Sequence, residues 1–127
     1  MCRQDPRWGR NGEGGAEDPY LMGEYAAAYT KGFQYQGGDA NTTKYLTAIL
    51  TLKHYVANSL DNTIVNQTTT VDGQTYAKGD ELNRHTMDVT VSNAQLQEYL
   101  AAFRAAAKAG AKGMMCSYNS VNGIPTW

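Results

Sequence analysis

The apolar positions of this chain fall into two helical stripes and two short strand-like runs. Leu21, Tyr25, Tyr29 and Phe33 recur at four-residue intervals, the spacing that puts side chains on one side of a helix. Asp18 stands before them as an N-cap and Pro19 fits the first helical position. Gly37-Gly38 marks the end of the helix. A second helix is predicted from the capping box formed by Ser92 and Gln95, with Leu96, Leu100, Phe103 and Ala107 on one face and Gly110 as terminator. Between the helices, Ile49 to Tyr55 is a β-branched and aromatic run that predicts a buried strand. The stretch leading into it, Thr43 to Leu50, predicts a helical start around Tyr45-Leu46. Gly113 to Tyr118 predicts another buried strand. Residues 58–84 are rich in Asn, Thr, Gly and Asp, and predict a long polar excursion with a small hairpin around Val71-Asp72-Gly73-Gln74. The glycine-rich opening segment predicts a loop. The resulting order, loop-helix-strand-helix-strand, predicts an α/β piece of a parallel barrel, forming one partial domain over residues 1–127. A piece with so few strands leaves unpaired edges and uncovered apolar surface.

Composition narrows the function classes. The 127 residues carry a formal charge of −1, with 18% charged side chains of both signs. That pattern supplies no basic footprint for nucleic acid and no polybasic stretch for an anionic membrane. No apolar window is long enough for a transmembrane helix, and Met1-Cys2-Arg3-Gln4 lacks the apolar core of a signal peptide. Met1 stands so close to a motif-bearing loop that the chain reads as a fragment of a longer open reading frame. Cys2 and Cys116 fix no pairing, because sequence separation does not establish disulfide geometry. The sequons Asn41-Thr42-Thr43 and Asn66-Gln67-Thr68 are compatible with a secreted or extracellular protein.

Polar residues at strand ends are the candidate chemistry. Lys53-His54 closes the first strand, where an ammonium beside an imidazole offers several donors to vicinal hydroxyls. The alternative is one solvated side chain and one packed side chain, since neighbours on a strand point to opposite faces. Arg10 carries a planar fork suited to a carboxylate or a diol, and could equally be a surface ion-pair residue. Tyr118 follows the second strand, where an unassigned tyrosine is either a core aromatic or a functional phenol. Other chemistries find no support. There is no Gly-x-Ser-x-Gly elbow and no phosphate loop, because Gly12-Glu13-Gly14-Gly15 carries an acid and lacks the following Lys-Ser/Thr. Cys2, Cys116, His54 and His85 have no recognisable zinc spacing, so neither metal nor cofactor is expected.

Three blocks together are more specific than any one of them. The run from Asp5 to Pro19, which contains Trp8-Gly9-Arg10-Asn11, the strand end Leu52-Lys53-His54-Tyr55, and Met115-Cys116-Ser117-Tyr118-Asn119-Ser120 resemble glycoside hydrolase family 3, the retaining β-glucosidases and β-xylosidases. The resemblance covers about Asp5 to Trp127. It implies a fragment of the family's N-terminal catalytic domain, a partial (β/α)8 TIM-like barrel, and a glycoside or oligosaccharide substrate ending in β-xylose or β-glucose. It implies that Arg10, Lys53, His54 and Tyr118 contact the glycone, with Glu13 and Glu17 bracing Arg10 and the loop; Arg7 is a further, structural residue of this block. The nucleophile and the acid/base lie elsewhere, so no catalytic carboxylate is assigned. Leu60-Asp61-Asn62 and Arg84-His85 resemble the β-xylosidase branch, whereas Asn58-Ser59 departs from it. The rival expectation is a non-catalytic carbohydrate-binding or structural remnant of such a barrel.

Overall fold

The computed structural model describes residues 6, 8–38, 41–42, 44–58, 63–71 and 73–127. Its first helix, α1, spans Pro19–Tyr35, and the Asp18 carboxylate caps it by accepting from the Leu21 N–H at 2.6 Å. The chain leaves the helix through left-handed Gln36 and Gly37, with φ of 52° and 89°, and the Gly37 N–H reaches back to the Lys31 carbonyl. The second helix, α2, spans Asn93–Lys108 and starts at the complete Ser92/Gln95 capping box. Gly110, at φ 94°, follows its end.

The two helices pack through small side chains. Gly23 and Ala26 of α1 face Ala102, Ala105 and Ala106 of α2. A Cβ on Gly23 would already stand 3.3 Å from the Ala105 Cβ. This choice of face bypasses the apolar stripes. The aromatic stripe of α1 points outward, with Leu21, Tyr25, Tyr29 and Phe33 between 46% and 58% exposed, because close helix contact selects the adjacent face of small residues. On α2, Phe103 is buried as expected, but Ala102 and Ala106 fill the contact while Ala107 is exposed.

The strand β1, Thr51–Tyr55, pairs in parallel with β7, Gly113–Cys116. The Lys53–His54 and Tyr55–Val56 peptide bonds are cis, and the register shifts between Leu52 and Tyr55. Neither strand is buried throughout: Lys53, Met114 and Met115 are exposed. Among the described residues β1 and β7 pair only with each other, so each keeps an open edge. No helix forms at residues 44–50, which run as bends and extended chain.

The polar excursion has structure. The strands β3, Thr69–Val71, and β4, Gln74–Tyr76, form the expected hairpin with Val71 opposite Gln74. Around it β2, Thr63–Ile64, pairs antiparallel with β5, Glu81–Leu82. Val65, Val71 and Leu82 are buried here and join Met87, Val89, Val91, Phe103 and Val121 in the larger core cluster. Finally β6, Asp88–Val89, lies parallel to β8, Ser120–Val121, which turns back into β9, Ile124–Pro125. Asn122-Gly123 makes that turn with φ of 50° and 79°, the paired positive angles of a tight hairpin turn.

Gln34 joins these parts. Its side chain is fully buried. Its Nε2 donates to the Gly110 carbonyl at 3.0 Å, and its Oε1 accepts from the backbone N–H groups of Leu50 and Lys112 at 2.9 and 3.1 Å. One amide therefore ties the end of α1 to the segments entering both β1 and β7. Gln34→Leu keeps most of the volume and strands two backbone donors, at about 1–3 kcal/mol for each group left unsatisfied, while the Gly110 carbonyl keeps its bond from the Tyr35 hydroxyl at 2.6 Å. Urea unfolding is expected to show a loss of at least ~2 kcal/mol; a loss under ~0.5 kcal/mol would contradict this role for Gln34.

Candidate glycone-binding site

A single 3-10 turn builds the first half of the site. Residues Asn11–Glu13 form it, with the Glu13 N–H bonded to the Arg10 carbonyl at 2.9 Å. Side chains three apart eclipse on such a turn, so Arg10 and Glu13 meet. Arg10 Nε and Nη2 donate to the two Glu13 carboxylate oxygens at 2.8 and 2.9 Å, the planar two-point pairing that only an arginine gives. Buried Trp8 lies under the Arg10 guanidinium at 5.7 Å.

The end of β1 supplies the second half. Lys53 Nζ reaches Glu13 Oε2 at 3.0 Å, so one carboxylate holds two cations from distant parts of the chain. The Arg10 hydrogen bonds, and after them that of Lys53, hold the Glu13 carboxyl down from 4.5 to about 2. His54 follows. The buried Asn58 amide points Nδ2 at His54 Nδ1 across 3.4 Å, an arrangement in which the neutral ring carries its proton on Nε2. Lys53, His54, Glu13 and Trp8 line one cavity of about 370 Å³, with Tyr25 and Tyr29 of α1 on its flank.

Behind the strand ends lies a buried polar lattice. Ser117 Oγ and Asn119 Nδ2 both donate to the Val56 carbonyl, at 2.9 and 3.2 Å, and Thr126 Oγ1 reaches the carbonyls of Ser117 and Asn119. Tyr118, between those two buried residues, turns outward and is 53% exposed. It leaves β7, whose Cys116 stands opposite Tyr55 of β1. Its ring packs on Arg84 and His85 rather than lining the Lys53 cavity.

The structure thus brings Arg10, Glu13, Lys53 and His54 together, and sets Tyr118 beyond the neighbouring strand end. Glu17 is exposed on the loop before α1 and is not among the residues lining the cavity. Asp61, Arg7 and Cys2 lie outside the described residues. Cys116 is exposed with a free thiol. Among the described residues no cluster of three or more His, Cys, Asp or Glu side chains could hold a metal, and no helix is long and apolar enough to cross a membrane. Sequence reasoning missed Asn58, Asn119 and Ser117 as supports; the alternation Ser117, Tyr118, Asn119 at a strand end, with only the middle residue outward, was the available signal.

Known proteins resemble this chain in sequence and in fold. The probable β-D-xylosidase 7 of Arabidopsis thaliana is 38% identical over 127 residues, covering 97% of this chain and 14% of the plant protein. A β-xylosidase/α-L-arabinofuranosidase 1 of Medicago sativa subsp. varia is also 38% identical, over 125 residues. In fold, the chain superposes on a β-glucosidase from Kluyveromyces marxianus with a TM-score of 0.70 at 30% identity, over 98% of this chain and 12% of that one. A β-glucosidase from Listeria innocua, solved with gluconolactone, gives 0.63 at 31% identity. In sequence and in fold the chain matches a segment of family-3 glycoside hydrolases. It spans about one seventh of the length of the curated relatives it matches. No protein-family profile matches it.

The double ion pair at Glu13 has a pH signature. Because the Glu13 carboxyl is lowered in the folded chain, its pairing is intact above pH 4.5 and is lost as pH falls through about 2. NMR titration of the Glu13 side-chain carbon is expected to show a midpoint near 2, raised most by Arg10→Ala and less by Lys53→Ala. A midpoint at 4.5 in the unsubstituted chain would show that the bridge does not form in solution.

Proposed function

We propose that this chain supplies the glycone-binding part of a retaining β-glycosidase that releases terminal β-xylose or β-glucose. The observation that carries the reading is the Glu13 carboxylate holding Arg10 and Lys53 at once beside His54. Lys53 gives one of its three N–H donors to Glu13, leaving two for hydroxyls. Lys53 and His54 then present donors into a cavity sized for a monosaccharide ring, with Arg10 held behind Glu13 at its edge. Tyr118 stands outside this cavity at the adjoining strand end, from which its phenol would meet the far side of a bound glycone.

Glu13 is itself unsuited to the chemistry. Retaining hydrolysis requires one carboxylate to attack and one carboxylic acid to protonate the leaving oxygen, the two about 5–5.5 Å apart. A carboxyl held near 2 by two cations is ionised at neutral pH and cannot donate that proton. Its oxygens are also occupied. The nucleophile and the acid/base are therefore contributed from outside the Arg10, Lys53 and His54 cluster.

The wider frame follows the same reading. Residues 1–127 form part of a (β/α)8 barrel domain, a proposal supported by the parallel β1/β7 pair with α2 in the connection between them and by the likeness to the two β-glucosidase chains. Parallel sheets are ordinarily covered on both faces and extended by further strands. The partner is a glycoside or oligosaccharide. Secretion fits the exposed Asn66 of the second sequon.

The test is kinetic and uses an active enzyme carrying this segment. Lys53→Ala is expected to lower kcat/KM on nitrophenyl β-xyloside or β-glucoside by one to two orders of magnitude, since a hydrogen bond from a charged group contributes roughly 1.5–3 kcal/mol. Lys78→Ala, on the exposed hairpin side, is expected to change it little. Wild-type kcat/KM in a folded Lys53→Ala enzyme would sink the proposal.

A further inference from the structure

Tyr118 has an unusual setting for an exposed aromatic. Ser117 and Asn119 on either side of it are 2% and 0% exposed, while Tyr118 is 53% exposed. Its backbone is therefore fixed, but no core surrounds its ring. An outward ring of this kind samples several staggered rotamers unless a neighbour holds it. The neighbour here comes from a different part of the chain. The His85 imidazole packs on the Tyr118 ring in a tilted contact, with centroids 4.2 Å apart and planes inclined by 38°, and the Arg84 guanidinium lies 5.3 Å from the same ring.

The turn bearing His85 is anchored to the strand that follows Tyr118. The His85 N–H donates to Asn83 Oδ1 at 2.9 Å, and the Thr86 and Met87 N–H groups both reach the Asn83 carbonyl at 3.1 Å. Met87 is buried, and its carbonyl accepts from the Ser120 N–H at 2.9 Å. Residues 83–87 and 117–120 are thus joined by hydrogen bonds into one corner. Within it, His85 is exposed and its ring has the Tyr118 ring as its contact.

We infer that His85 is the positioning residue of Tyr118, fixing by a tilted ring-on-ring contact where the phenol oxygen stands relative to a bound sugar. The inference rests on the reading of Tyr118 as part of the glycone site. This contact occupies the ring and leaves the phenolic oxygen as the end presented to solute. The imidazole contributes shape rather than charge, so another aromatic ring serves in its place.

The test uses the full 127-residue chain, aromatic NMR spectra and methyl β-D-xylopyranoside as the probe. His85→Ala is expected to move the Tyr118 ring resonances toward motionally averaged values and to weaken xyloside binding about two- to tenfold, the range set by one aromatic pair. His85→Phe is expected to restore both the ring shifts and the affinity. That rescue separates positioning from a general loss of fold. Tyr118 resonances and xyloside affinity unchanged in His85→Ala would overturn the inference while leaving the glycone site standing. An unsubstituted chain that shows the ring-contact shifts but no xyloside binding would bring down the glycone reading and this inference with it.

Discussion

A single buried amide sets the relation between helix and sheet in this chain. Gln34 sits at the end of α1, fully enclosed, and bonds to Gly110, Leu50 and Lys112. The last two residues lead directly into β1 and β7. Without that link, α1 would still pack on α2 through Gly23 and Ala26, and Leu50 would still bond Gly113, but the two strand origins would lose the one side chain that joins both of them to α1. The placement of Lys53 depends on it, because β1 carries Lys53 three positions beyond Leu50 to meet a carboxylate on the opening loop.

The bridge at Glu13 has to be understood as a device of position rather than stability. Arg10, Glu13 and Lys53 are all partly exposed, and ion pairs at such a surface contribute little to folding. Their value lies in geometry. A lysine alone is a flexible cation with many rotamers, and an arginine on a glycine-rich loop is little better fixed. Sharing one carboxylate brings both donors to a common point and leaves a net positive edge facing the cavity. Asn58 does the same for the His54 ring, and the Ser117–Asn119–Thr126 lattice does it for the backbone beneath.

Local signals in the sequence were legible where local physics decides the outcome. The Asp18 and Ser92 caps, the hairpin at residues 71–74 and the parallel strands flanking α2 follow from capping, turn and strand preferences. Burial was harder to read. Leu21, Tyr25, Tyr29 and Phe33 form the more apolar face of α1, yet the small-residue face is the one in contact with α2, because the helix pair needs close approach and Gln34 has to reach the strand origins. That choice is made by tertiary geometry. Residues 58–84 look unstructured because their strands are two or three residues long, too short for periodicity. At the site, the spacing Arg10 to Glu13 and the Lys53-His54 pair pointed to the cluster, whereas the Arg84 and His85 packing on Tyr118 joins segments more than thirty residues apart and no local pattern announces it.

The central claim is that a sugar ring binds against Arg10, Lys53 and His54. The most direct measurement is a crystal structure of an active enzyme carrying this segment, soaked with methyl β-D-xylopyranoside. The account predicts sugar hydroxyls within hydrogen-bond distance, about 2.7–3.2 Å, of Lys53 Nζ and the His54 ring, with Glu13 still bridging Arg10 and Lys53. A sugar bound elsewhere, with the Lys53 and His54 side chains turned away from it, would contradict the account at its base.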